Sequence, residues 1–181
     1  MAMTTNYGEL LPDAALDSSA TRIALDEGLA LSWSHCGATA EFLGEIYGNL
    51  AGLAGFDRND ARHSINYLAN ELFENAVKFR LAGAGAITLE AALVQGVFNL
   101  RISNLAAAAH AERFQGLLTE ITSRDSGDLL LERIEANALG QDGSGLGILT
   151  MMNDYGAKMG WRFEPEGEAV RIETHVALAL A

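Results

Sequence analysis

The segment SINYLANELFENAVKFR, from Ser64 to Arg80, sets a carboxylate at Glu71, an amide at Asn75 and an ammonium at Lys78 into an otherwise apolar run. At 100° per residue, Ile65, Leu68, Leu72, Ala76 and Phe79 share one helical arc, the face expected to be buried. With Glu71 at zero, Asn75 lies at about +40° and Lys78 at about −20°, so the three form a stripe along the edge of that arc. Two readings fit such a stripe. In one it is a solvated border, where Glu71 and Glu74 make i,i+3 and i,i+4 contacts worth roughly 0.2–0.5 kcal/mol. In the other the groups converge on a cavity. There carboxylate and amide oxygens are hard ligands for Mg²⁺, the carboxylate can take a proton from a nucleophile, and the lysine can neutralise phosphate.

A second segment, GQDGSGLGILTMM, places Gly140, Gly143, Gly145 and Gly147 directly before an apolar helical run. Glycines there let backbone amides approach an anion at a helix N-terminus, although such loops also serve as plain turns. The segment is not a P-loop, because no Gly-Lys-Ser/Thr follows, and its spacing misses G-x-G-x-x-G. Asp142 is unfavourable beside phosphates unless it helps a metal or faces away.

The elements that position these residues follow from periodicity. Residues 1–20 lack a sustained period and are expected to form a loosely held, flexible arm, with one domain from 21 to 181. Ile23, Leu25, Leu29, Leu31 and Trp33 alternate around Asp26-Glu27-Gly28, which predicts a hairpin. Phe42, Leu43, Ile46, Leu50 and Leu53 predict a helix over 37–55, and Asp57 is the expected N-cap of a helix reaching Leu81. Paired strands are expected on either side of Gln95-Gly96, then two short helices within 106–139 divided at 123–127. A helix follows the glycines, and a last hairpin turns at Pro165-Glu166-Gly167. Short-turn strand pairs with helices between them predict an α+β fold, a two-layer α/β sandwich whose mostly antiparallel sheet carries helices on one face.

A chain of 181 residues, 49% hydrophobic, can bury a sizeable core, and a formal charge of −12 argues against a nucleic-acid partner. The single Cys36 excludes an internal disulfide and is expected to be a small buried residue. Neither a basic-apolar leader nor a membrane-spanning run is present in the sequence, so no membrane association is expected and the cytoplasm is the expected location.

Together, ELFENAVKF at 71–79 and GSGLGI at 143–148 resemble the N box and second glycine box of the GHKL ATPases, the superfamily that includes gyrase, histidine kinases and anti-sigma-factor serine kinases. The order of elements over about 22–178 is similar too. The resemblance implies a Bergerat-type ATP-binding fold with a mixed sheet and a lid region at 106–142. Carried over by position, it implies Glu71 as general base, Asn75 as magnesium ligand and Lys78 as phosphate contact, with Gly143, Gly145, Leu146 and Gly147 beside the phosphates. The compact chain and the stretch GSGLGILTMMNDYGAKMGWRFE are most similar to stand-alone anti-sigma-factor-type serine/threonine kinases, in particular their SiaB-like branch. Such kinases bind ATP and Mg²⁺ and phosphorylate Ser or Thr of a small antagonist protein, STAS-like or SiaC-like, within partner-switching circuits. A sigma factor or a PP2C-type phosphatase belongs to the same circuitry, and dimers are common.

One departure stands out. The family's Asp-x-Gly box after the second central strand is absent, and Asn104 ends that strand before a run of alanines. Asn104 either contacts adenine through its amide or simply ends the strand. The alternative function is therefore a non-catalytic regulator that keeps the fold and sequesters a partner. Of the remaining residues, His63 and His175 are expected at the surface, and Trp33, Trp161, Phe163, Met151 and Met152 in the core.

Overall fold

The computed structural model describes residues 3–16, 20–26, 33–83, 85–139 and 145–181. Its strands are β1 (Thr5–Gly8), β2 (Thr21–Leu25), β3 (Ile87–Val94), β4 (Val97–Ala107), β5 (Lys158–Glu166) and β6 (Ala169–Ala179). The helices are α1 (Trp33–Leu53), α2 (Arg58–Phe79), α3 (Ala108–Ser123), α4 (Ser126–Ala138) and α5 (Leu146–Asn153). One sheet runs in the order β1-β5-β6-β4-β3-β2, with every neighbouring pair antiparallel. Helices pack on one face of it, as expected of a two-layer α/β sandwich. No helix among the described residues is long and apolar enough to cross a membrane.

Local chemistry accounts for most boundaries. Asp57 caps α2 by accepting from the amides of Asn59 and Asp60, and Asp125 caps α4 in the same way from Gly127 and Asp128. Gln95 and Gly96 both take positive φ between β3 and β4, as a two-residue hairpin turn requires. Ile65, Leu68, Leu72 and Ala76 of α2 are buried in one core with Phe98, Leu100 and Ile102 of β4, and Trp161 and Phe163 of β5. Cys36 and Met151 are buried as expected, Met152 is half-buried, and His63 is exposed.

Several expectations differ from the structure: Asn104, for one, does not end its strand, because β4 stays paired with β6 as far as Ala107. β2 pairs with β3 rather than with the segment that follows it, and the Arg22–Glu90 ion pair at 2.8 Å lies in that register. Trp33, expected in the partner strand, opens α1; Leu29 and Leu31 lie outside the described residues. Residues of the expected N-terminal arm form β1, which completes the sheet edge along β5 through Tyr7, edge-to-face on Phe163 at 5.7 Å. Its few residues carry too short a pattern to register as a strand.

His175, expected at the surface, is 2% exposed. It lies opposite Gly160 on β5, and a Cβ on Gly160 would run into the backbone of Glu9 and Leu10. Cross-strand partners point to the same face, so the chain leaving β1 crosses the sheet beside His175 and shields it. His175 Nε2 stands 3.5 Å from Glu173 Oε2. Alternation along β6 assigned the face correctly but could not reveal that this face is covered there.

The α1 stripe also differs. Cys36, Ala40, Leu43, Tyr47 and Ala51 are buried, whereas Phe42, Leu50 and Leu53 are exposed, Leu53 at 87%. The reason is a ridge of Gly44, Gly48 and Gly52 that lets α1 lie almost backbone to backbone on α2. A Cβ on Gly48 would sit 2.8 Å from Arg62 Cβ, and one on Gly44 would sit 2.9 Å from Arg62 O. Glu45 then bridges Arg62 at 2.6 Å and Arg58 at 3.6 Å.

Two substitutions separate close packing from helix propensity. Gly48→Leu forces the helices apart and lowers the unfolding free energy by about 1–3 kcal/mol. Gly37→Ala, where the nearest outside atom would be Asn70 Oδ1 at 4.0 Å, raises it by roughly 0.5–1 kcal/mol through propensity alone. Denaturant unfolding reads both; effects of the same sign contradict the ridge.

Candidate functional site

At the C-terminal end of α2, the helix layer and the sheet part to leave a cavity of about 590 Å³. That volume falls in the range of small-molecule sites. Its floor is the helix-facing side of the sheet, with Ile102 and Asn104 from β4, Ile172 and Thr174 from β6, and Trp161 from β5. α2 contributes Glu71, Asn75, Lys78 and Phe79, α3 contributes His110, Arg113, Phe114 and Leu117, and the start of α5 contributes Gly145, Gly147 and Ile148.

The edge stripe of α2 therefore lines the cavity, and Glu71, Asn75, Lys78, Asn104, Gly145 and Gly147 are brought together around it. Leu146 opens α5 but is not part of the lining, and Gly143 and Asp142 lie outside the described residues. Gly145 is the N-cap of α5 at φ 85°, a left-handed conformation that favours glycine, and its carbonyl accepts the Leu149 amide at 3.0 Å. Gly147 has a different job. A Cβ there would overlap Glu71 Oε2, so glycine lets the first turn of α5 settle on the carboxylate without the Glu71 side chain having to turn away. Tyr155, two residues past the end of α5, stacks on Tyr67 of α2 at 4.9 Å and 13°. Tyr67 and Glu71 are one turn apart on α2, so this stack and the glycine contact fix α5 along one stripe of α2.

Glu71 accepts no hydrogen bond from the described residues, and burial, then the charge of Glu74, push its carboxyl above the ordinary range. Glu74 is otherwise engaged, since Asn70 Nδ2 donates to its Oε1 at 2.9 Å. Asn75 and Asn104 have no side-chain partner among the described residues, and Asn104 is only 6% exposed. An amide that opens into a cavity with no protein partner for its donor or its acceptor can take a ligand that supplies one of each. Asn75 and Glu71 together offer hard oxygen donors suited to Mg²⁺ shared with ligand phosphates. Among the described residues there is no cluster of three or more His, Cys, Asp or Glu placed to hold a metal ion.

Several lining residues were not legible beforehand. Phe79, assigned to the buried arc, is 40% exposed at the cavity mouth, with Lys78 Nζ 5.1 Å from its ring centroid and His110 edge-on at 6.1 Å. Phe79 lines the cavity instead of the packed layer, although the chain straight after it bonds to the edge of β4, with Arg80 opposite Ala106 and the Leu81 amide donating to Leu105 O at 2.7 Å. His110, Arg113, Phe114 and Leu117 recur at helical spacing, but only the packing of α3 shows which way that stripe faces. The substituted position at Asn104 was the one signal for the floor.

No family model matches the sequence, and no curated protein matches it. Among solved structures, the chain is similar to a chain in the crystal structure of the SiaB-SiaC complex from Pseudomonas aeruginosa, with a TM-score of 0.62 at 12% identity. The likeness covers 91% of this chain and 92% of that one. It establishes a shared fold.

The state of Glu71 has a measurable consequence. The folded chain holds this proton more tightly than the unfolded one, so the stability Glu71 contributes is present below the usual carboxylate range. It is lost as pH rises through the raised folded-state value. Glu71→Gln is therefore more thermostable than the parent at pH 8, with the difference closing below about pH 4. A pH-independent difference in melting temperature contradicts a strained carboxylate.

Proposed function

We propose that this protein is a cytoplasmic regulator in a bacterial partner-switching circuit, binding Mg-ATP and phosphorylating a Ser or Thr of a partner protein. The observation that carries the reading is Glu71, a carboxylate with no hydrogen-bond donor among the described residues, pressed against the first turn of α5 in a cavity that also presents Asn75 and Lys78. The resemblance of the two sequence boxes to the GHKL ATPases supports it, and so does a fold shared over nine-tenths of the chain with a member of a SiaB-SiaC complex. That complex also supports a partner of the SiaC kind.

In-line phosphoryl transfer needs positioning, charge neutralisation and a place for one proton. Glu71 takes the proton of the acceptor hydroxyl as its oxygen attacks the γ-phosphorus and ADP leaves. The raised proton affinity of this carboxyl suits a base working near neutral pH. Asn75 would hold Mg²⁺, which when bound neutralises phosphate charge. Lys78 meets the phosphates, and the amides opening α5 give them a helix N-terminus. Asn104 orients the base through its amide.

The competing reading, a non-catalytic regulator that sequesters its partner, is favoured by Asn104 standing where the resemblance calls for Asp. Calorimetry and a phosphotransfer assay with a SiaC-type partner decide between them. The kinase reading predicts Mg-dependent ATP binding and transfer whose rate rises with pH through the raised Glu71 pKa. Glu71→Gln lowers transfer by roughly 10²–10⁴-fold while ATP affinity stays within a few fold. Binding of partner without nucleotide heat at millimolar ATP supports sequestration and overturns the kinase.

A further inference from the structure

We propose that Arg113 of α3, with His110 one turn before it, is a second anion-binding element of the cavity, so that a polyphosphate is gripped from both α2 and α3. The proposal rests on the nucleotide-site reading for its ligand class, but its residues are independent of those carrying that reading.

The first observation is a charge inventory. In a chain of net charge −12, a cation without a carboxylate neighbour is unusual. Of the 12 Lys and Arg side chains, all but Lys78, Arg80 and Arg113 lie within ion-pair distance of a carboxylate. No described carboxylate approaches these three. Arg80 is the C-cap of α2, next in the chain to Phe79, whereas Lys78 and Arg113 both line the cavity. Arg113 donates through Nε to Ala109 O of its own helix at 3.3 Å, and its terminal nitrogens have no partner among the described residues.

The second observation fixes where Arg113 points. Phe114 meets Trp161 edge-on at 6.3 Å and Phe163 at 5.9 Å. Leu117 Cδ1 would be 3.1 Å from a Cβ on Gly145, so it packs directly on the N-cap of α5. With those two positions locked, rotation of α3 is not free, and His110 and Arg113 must stand over the cavity mouth. His110 meets the exposed Phe79 ring, which Lys78 also flanks. The mouth thus carries an imidazole, an ammonium and a guanidinium, none of them within ion-pair distance of a described carboxylate. The first turn of α3 likewise carries no acidic residue, and its N-cap, Ala107, provides no side-chain cap.

A guanidinium with free terminal donors matches phosphate oxygens in a bidentate manner, which a lone lysine cannot do. Base and ribose gain nothing from it, so its contribution scales with the number of phosphates. The ligand class is a polyphosphate, carried by a nucleotide or free.

Calorimetric titration with Mg-ATP, adenosine and inorganic tripolyphosphate tests this. Arg113→Ala weakens ATP and tripolyphosphate binding by about tenfold, Arg113→Lys restores part of it, and adenosine affinity is unchanged. The melting temperature of Arg113→Ala stays close to the parent value, because the side chain is exposed, makes no ion pair with a described residue and gives up only a long bond to Ala109 O of its own helix. If the parent binds ATP and Arg113→Ala binds it equally well, the anion role of α3 is wrong and the nucleotide reading stands. If tripolyphosphate binds in an Arg113-dependent manner while ATP does not bind, the anion site stands and the nucleotide reading fails. Failure of the parent to bind either ligand overturns both.

Discussion

The site depends on one close approach, that of the first turn of α5 to the Glu71 carboxylate across a position with no side chain. A methyl group at residue 147 would occupy the carboxylate's place and turn the Glu71 side chain out of it. With glycine there, Glu71 is packed against the first turn of α5, and burial, then the neighbouring charge of Glu74, raise its proton affinity. The cavity opens beside this contact, between the last turns of α2, the start of α5, α3 and the strands β4, β5 and β6. The polar edge of one helix thus becomes the wall of a pocket instead of a solvated border.

Long-range packing serves the same end. The glycine ridge of α1 lets that helix back α2 closely, and the Tyr67–Tyr155 stack aligns α5 on α2. Asn153 Nδ2 donates to Leu149 O at 2.9 Å and to Ser126 O at 3.0 Å, tying the end of α5 to the start of α4. On the far face of the sheet, Arg22, Glu90 and Arg101 form a chain of ion pairs across β2, β3 and β4. Carboxylates there are matched by cations, which makes the unmatched cations at the cavity mouth the more informative.

Much of this was legible in the sequence because it is written in short periods. The α2 stripe follows from 3.6-residue spacing, the β3–β4 and β5–β6 hairpins from alternation around Gln95-Gly96 and before Gly167, and the α5 start from the spaced glycines. What was not legible depends on contacts between distant segments. No local pattern says that β2 pairs with β3, that residues 9–10 cross the sheet and shield His175, or that Gly44, Gly48 and Gly52 face α2. Arg113 and His110 belong to this class. Their direction is set by Phe114 on Trp161 and Phe163, a contact spanning almost fifty residues of chain.

The central claim is that the polar edge of α2, the start of α5 and the inner stripe of α3 form one ligand site. Amide resonance mapping during titration with Mg-ATP tests it most directly. The account predicts that the largest shifts fall together on residues 71–79, 102–104, 110–117 and 145–148, and that they diminish when Mg²⁺ is removed. Saturating nucleotide that leaves those amides unmoved, or shifts confined to another surface, would contradict it.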